Sequence, residues 1–449
     1  VPDSVTHIGR FAVGRNVDVV CSPDSAMARW LQQNYATDFA YEISDGECTI
    51  IRYNGSATEV VIPETIEDVP VTAIGNYAFE YCGSLTSITI PDGVTDIGYG
   101  AFEDCSSLTS ILLPASITEI KAWTFGECTS LKSVTIPDGV TTIGRSAFNG
   151  CSSLTSITMP KSVRIIDEEA FNDCRGLTSI TLPSSIAEIG DYAFIGCRGL
   201  TSISIPTSVE SIGNGAFSNC TSLKSVTILG DATYIGGAAF EDCISLTSIN
   251  LPSSLEKISG YMFWGCSSLA SIVIPEGVTE IGDYAFFGCR GLKKISIPTT
   301  LEYVGEDAFA YSNANVYIKS LYDWMYIEFE NRRSSPGKNL YLNGKLQSKI
   351  DIPAEVDWIY DYAFVNFTSL KTVFIHEEVY DIGENIIPSS TKIICYVDSP
   401  AYDWAYGNDW SIFDFDYDYY EDGCIITGYV GNATTVKIPA YIDGLPVVA

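Results

Sequence analysis

SLTSITIPDGVTDIGYGAFEDC (84–105) is one copy of a pattern that returns every 23 residues, and its reading decides the fold. Leu85, Ile88 and Ile90 are spaced as the inward positions of a short strand, with Thr86, Ser87 and Thr89 turned to solvent. Pro91 ends that strand because it has no backbone donor to offer a neighbour. Val94 and Ile97 make a second short apolar stretch, and Gly98 permits a tight turn. Ala101 and Phe102 are expected in a brief helical or 3₁₀ turn that carries the ring into the core, and Cys105 closes the coil.

Three residue series hold the period. Cysteine stands at Cys82, Cys105, Cys128, Cys151, Cys174, Cys197, Cys220, Cys243, Cys266 and Cys289. Phenylalanine keeps step three residues earlier, from Phe79 to Phe309, and proline from Pro91 to Pro298 with one lapse at Leu229. Chance does not lock three series over ten copies. A single coil cannot bury its own apolar face, so coils must stack with like residue on like. A length of 449 residues would otherwise suggest roughly two to four domains, but a solenoid grows by adding coils.

The stretches LTSITIPDGVTDIGYGAFEDCSS (85–107), LTSITLPSSIAEIGDYAFIGCRG (177–199) and LASIVIPEGVTEIGDYAFFGCRG (269–291) closely resemble the BspA-like, or Treponema-type, leucine-rich repeat family. The resemblance covers most of the chain. It implies a right-handed leucine-rich-repeat solenoid, an α/β repeat with parallel β-strands on one face and short helical or 3₁₀ turns opposite. It also implies a non-catalytic cell-surface or secreted (extracellular) protein that adheres to host proteins, other cells or glycans. None of the family's binding residues is defined sharply enough to be carried over.

Residues 75–310 hold the regular repeats, and 41–74 read as a β-hairpin cap over the first exposed edge. The rhythm breaks in an irregular insertion at 311–349 and returns over 350–413 as the last repeats and a C-terminal cap. Residues 1–40 parallel that cap, with Cys21 matching Cys395 and Ser22-Pro23 matching Ser399-Pro400. Residues 414–449 repeat the leading module, Cys424 matching Cys48. The expectation is a tail of one module, one full module and the start of another, cut from a longer tandem array. Such an array suits a rival reading: a structural subunit of an extracellular fibre or stalk, with modules as one another's partners.

The composition is globular, 46% hydrophobic, and no apolar run reaches the ~20 residues of a membrane span, so direct membrane insertion is not expected. No signal peptide is recognisable. Fifty-six Asp and Glu face 25 Lys and Arg, a net charge of −31, which repels nucleic acid and anionic membranes. That charge reads either as solubility or as an acidic face for a basic ligand or calcium.

Little in the chain suggests catalysis. There are two histidines, His7 and His376, and no nucleophile elbow, phosphate-binding loop or His-containing metal motif. No catalytic, metal-ligating or cofactor-binding residue, and no cofactor, is therefore assigned. The cysteine spacing lacks the close pairs of a zinc site and reads as a buried ladder of reduced thiols. The tract DFDYDYYEDG (414–423) clusters carboxylates and leaves calcium at a module junction open. Asn54, Asn219, Asn366 and Asn432 begin N-x-S/T sequons.

Two sets of residues could meet a protein or glycan ligand on another cell or matrix. The outward strand positions form a hydroxyl ladder, including Thr86, Ser87, Thr109, Ser110, Thr178 and Ser179, which also suit exposed strands on propensity alone. The ladder turns basic at Lys293 and Lys294, marking either a change of ligand face or an edge guarded against aggregation. Aromatic residues recur two positions before the core Phe, at Tyr77, Trp123, Tyr192, Tyr261 and Tyr284, where they either stack on sugars or pack between coils.

Overall fold

The computed structural model describes residues 38–396 and 399–407, together with the backbone of strands Phe415–Tyr420, Gly423–Tyr429, Tyr441–Ile442 and Leu445–Pro446. Residues 1–37, most of 408–449, and hence His7, Cys21, Ser22-Pro23, Asn432 and the side chains of 414–423 lie outside the described residues. The chain forms two compact units that divide between Leu246 and Thr247.

In the first unit most coils contribute two short strands that pair in parallel with those of neighbouring coils, while the coil beginning at Leu177 contributes only Glu188–Ile189. The leading strands include Ser110–Leu112, Ser133–Thr135 and Ser156–Thr158, then Ser202–Ile205 and Ser225–Ile228. The register sets Ile111 beside Val134 and Ile157, so each apolar residue lands on its own equivalent. A second ladder, formed where the Val94–Ile97 stretch recurs, runs through Glu119–Ile120, Thr142–Ile143, Ile165–Ile166, Glu188–Ile189, Ser211–Ile212 and Tyr234–Ile235. At the lapse in the proline series, Leu229 donates its N–H to the Ile205 carbonyl at 3.0 Å, a bond that proline could not make.

The third side of the coil corrects the expected helical or 3₁₀ turn. The residue two before the core Phe has positive φ in coil after coil: Tyr77 (58°), Gly100 (55°), Trp123 (61°), Ser146 (52°), Glu169 (57°) and Tyr192 (57°). The residue two after that Phe does the same at Tyr81 (59°), Asp104 (58°), Glu127 (55°) and Gly150 (72°). Left-handed residues at such short intervals cannot continue a helix, so the segment is a hydrogen-bonded turn. Its backbone instead bonds the next coil: Tyr77, Phe79 and Tyr81 donate N–H to Tyr99, Ala101 and Glu103 at 2.8, 2.8 and 2.9 Å. Backbone bonds between coils therefore run along all three sides. They offset a left-handed cost of about 1–2 kcal/mol for each non-glycine residue. Among the described residues, α-helix is confined to Leu321–Met325 and Pro400–Gly407.

Inside the coils the repeat residues form columns. Phe148, Phe171, Phe194 and Phe217 are fully buried and stack with 5.3, 5.2 and 5.3 Å between successive ring centroids. The Phe148 carbonyl accepts the Cys151 N–H of its own coil at 3.1 Å and the Cys174 thiol of the next at 3.1 Å. The same thiol bond recurs from Cys105 to Cys243. Cysteine suits this place because it is a small apolar residue with one weak donor aimed at an acceptor that already has a partner. Burial pushes these thiols well above their ordinary pKa and keeps them protonated.

The first described elements of the first unit form a hairpin. Phe39–Ser44 pairs antiparallel with Glu47–Tyr53 through Asp45 and Gly46, both at positive φ as a tight two-residue turn requires. Glu47–Tyr53 then pairs with Val69–Ile74, and that strand with Asp96–Ile97. Tyr53 stacks on Phe79 at 5.4 Å and ends the aromatic column.

The second unit repeats the two ladders with different loops. Its leading strands are Ser271–Val273, Lys294–Ser296, Asn315–Ile318 and Asn339–Leu342, and Lys345–Leu346 folds back antiparallel on the last. Lys349–Asp351, Thr372–Ile375 and Lys392–Cys395 form a further parallel set. Over 311–349 the ladders persist, and helix is limited to Leu321–Met325, capped by the Ser320 hydroxyl accepting from the Asp323 N–H. The Phe and Cys series lapse there, and Trp324 fills the space. It is buried, donates Nε1–H to the Ala363 carbonyl at 3.0 Å and packs against Phe329 and Phe367.

Candidate functional site

The hydroxyl ladder of the first unit splits into two columns with different duties. Thr86, Thr109, Thr155 and Thr201 donate their hydroxyls to the carbonyls of Thr58, Thr86, Lys132 and Thr178 in the preceding coil, at 2.8, 3.2, 3.2 and 3.3 Å. Their protons are committed to the coil stack. In the adjoining column Ser110, Ser133 and Ser156 are exposed and in register, Ser179 and Ser202 are exposed at the equivalent repeat positions, and Ser87 is half-buried. Of the residues singled out from sequence, Ser87, Ser110 and Ser179 are thus on the open column, and Thr178 is exposed beside Ser179.

The aromatic set belongs to the turn ladder, so it and the hydroxyl ladder do not converge on one site. Tyr77, Tyr192 and Tyr261 are 41%, 40% and 44% exposed, and Trp123 and Tyr284 are half-buried. Every one of the five carries a positive φ. The Tyr77 ring lies where a Cβ on Gly100 of the next coil would meet it at 2.5 Å, and Tyr192 covers Gly215 likewise. Tyr261 stacks on Tyr284 at 5.1 Å. One face of each of these four rings is therefore used between coils.

Carboxylates cluster on the first unit's turns and second ladder. Glu103 and Glu127 are pushed up, first by burial and then by neighbouring acids. Asp167, Glu188 and Asp191 line a shallow depression with Ser211, Gly213 and Tyr234. Asp191 is already engaged there, since its Oδ1 accepts the Asn214 backbone N–H at 2.6 Å. Asn76, Asn214, Asp283 and Asp361 each bond a backbone N–H one coil on in the same way. Of the sequon residues, Asn366 spends its amide on the Arg332 and Ser335 carbonyls at 2.9 and 2.7 Å. His376 sits 3.2 Å from Asp351.

The leading-strand face of the second unit differs in chemistry. Where the first unit has Ser and Thr, the equivalent positions are Lys294, Asn315 and Asn339 in one column and Ser296, Tyr317 and Tyr341 in the next. Tyr317 and Tyr341 stack at 4.5 Å and 9°, and the Lys294 ammonium lies 4.5 Å from the Tyr317 centroid. Asn339 donates its amide to Asn315 at 2.8 Å. Residues 290–350 carry nine Lys and Arg against six Asp and Glu, which sets them apart from a chain of net charge −31. Lys293 and Lys294 stood out in the sequence; Tyr317, Tyr341, Lys338, Lys345 and Lys349 did not. The window's charge balance would have flagged the lysines.

A family model described as "BspA type Leucine rich repeat region (6 copies)" matches residues 72–201, 187–315 and 322–398, more than half of the chain. No curated protein matches the sequence. Among solved structures, the chain is similar to a leucine-rich cell surface protein of Faecalibacterium prausnitzii at 30% identity, covering 66% of this chain and 97% of that one, with a TM-score of 0.40. A leucine-rich repeat protein of Bacteroides ovatus is 30% identical over 65% of this chain and 96% of its own, TM-score 0.39. The T. pallidum leucine-rich repeat protein is 34% identical over 42% and 90%, TM-score 0.40. With the coil's Phe, Cys and Pro columns in place and the family model spanning them, the chain belongs to the BspA-type leucine-rich repeat family.

Proposed function

We propose that this protein is a non-catalytic binding scaffold of the cell surface or extracellular space, which adheres through its coil faces to a protein or glycan on another cell or matrix. One observation carries the reading: the repeat commits its Phe, Cys and inward strand residues to the core and leaves columns of outward side chains open on the leading strands. A repeated face suits an extended ligand met over several coils, each adding a small contact. The printed description of the Faecalibacterium relative as a cell surface protein supports the location.

A stalk or fibre subunit is the second reading, favoured by the correspondence of Cys395 with Cys21 and of Cys424 with Cys48, offsets of 374 and 376 residues. The two readings separate in one experiment. The purified chain is probed on a glycan and extracellular-matrix array while the same sample is imaged by electron microscopy. Saturable binding by single particles supports the scaffold; filaments with no array signal support the stalk.

A further inference from the structure

We propose that the leading-strand face of the second unit, from Lys293 to Lys349, is a binding site for a linear acidic polysaccharide, one bearing carboxylates or sulfates. The inference rests on the binding-scaffold reading and gives it a face and a ligand chemistry. Lys293, Lys294, Lys338, Lys345 and Lys349 are all exposed; the first four are on or directly beside the strands Lys294–Ser296, Asn315–Ile318, Asn339–Leu342 and Lys345–Leu346, and Lys349 opens the strand set that follows. None of them enters an ion pair among the described residues. Unpaired cations gathered on one face of a chain of net charge −31 would favour an anion there and repel it elsewhere. Neighbouring strands are about 4.8 Å apart, so Lys293 and Lys294 stand two strands, roughly 10 Å along the solenoid axis, from Lys338, with Asn315 between them.

The aromatic geometry narrows the class. Nucleobases need open ring faces to stack on, but Tyr317 is closed by Tyr341 on one side and Lys294 lies over its ring. Tyr341 faces Leu346 across the returning strand. What this pair offers is ring edges and phenol hydroxyls, which with Asn315 and Asn339 suit hydroxyl-rich sugars. A bound peptide would want side-chain pockets or an open strand edge, and the edge of Asn339–Leu342 is taken by the returning Lys345–Leu346.

The test is equilibrium binding of the full chain to immobilised heparin (sulfated), hyaluronan (carboxylated), neutral dextran, poly-glutamate and single-stranded oligo-dT. Binding is expected to one or both acidic polysaccharides and not to dextran. It should weaken about tenfold or more in Lys294→Glu/Lys338→Glu, with the salt slope falling by about one per lysine. Tyr317→Phe/Tyr341→Phe keeps the stack, deletes the hydroxyls and should weaken binding about threefold. Lys132→Glu, in the first unit, should leave affinity unchanged. No polysaccharide binding, equal binding of oligo-dT or poly-glutamate, or affinity untouched by the charge reversals overturns the proposal. If the array finds another ligand that the double variant still binds, this face is wrong while the scaffold reading stands. Filaments with no ligand overturn both.

Discussion

The leading strands of the two units share an inside and differ on the outside. Ile111, Val134 and Ile157 in the first unit and Ile272, Ile295 and Val316 in the second are all buried at the same coil position. Their outward neighbours are Ser110, Ser133 and Ser156 in one and Ser271, Lys294 and Asn315 in the other. The coil tolerates this because outward side chains touch solvent while inward ones must fill a close-packed column. Scaffold and surface are therefore separable: inward residues specify the coil, and outward ones are free to specify a ligand.

The separation breaks hardest at the core. Phe194→Ala removes a fully buried ring from the aromatic column and should cost about 3–5 kcal/mol by chemical denaturation. A cost below about 1 kcal/mol would mean that the column is not what holds the coils. A smaller break lies at the turn. Gly215→Ala puts a Cβ against the Tyr192 ring at a φ of 57° and should cost about 1–2 kcal/mol. In Tyr192→Ala/Gly215→Ala the steric part should vanish, which a double-mutant cycle reads directly.

Acid should move the two units in opposite directions. In the first, Glu103, Glu127, Glu241 and Asp242 are pushed up, chiefly by burial. A raised folded value means that stability grows as pH falls through the carboxylate range. In the second, Glu276 is held down by its bond from Lys319, and Asp357 by its bond from Tyr326. Their stabilisation is present at neutral pH and is lost as pH falls through their lowered values. Hydrogen exchange at pH 7 and pH 4, corrected for intrinsic rates, should show protection rising in the first unit and falling in the second. The thiols act at the other end. Burial raises Cys289 from 9.0 to about 12, so its contribution is full below about 9 and is lost as pH rises toward 12. The melting temperature should fall over that interval, and less so in Cys289→Ala.

The smallest effect sharpens the comparison. Ser133→Lys and Ser156→Asn copy the second unit's outward column onto the first and should change stability by no more than about 0.5 kcal/mol.

The coil register was legible in the sequence because Phe, Cys and Pro mark it once per turn of the chain. The turn type was not. Tyr77, Trp123 and Glu169 read as ordinary side chains before a helix, and only coordinates reveal that each takes a left-handed φ that glycine would usually supply. The basic, aromatic face was missed for a related reason. Over 311–349 the marker residues lapse, Trp324 takes over the core, and without a marker Tyr317 and Tyr341 could not be assigned outward positions on neighbouring strands. The hydroxyl ladder was found as a set, but sequence could not tell the Thr column bound to carbonyls from the open Ser column beside it.

The most direct test of separability measures melting and ligand binding on one sample of Lys294→Glu/Lys338→Glu. The account predicts a melting temperature close to that of the unaltered chain with binding to the acidic polysaccharide reduced about tenfold or more. A large drop in melting temperature, or binding that survives intact, would contradict it.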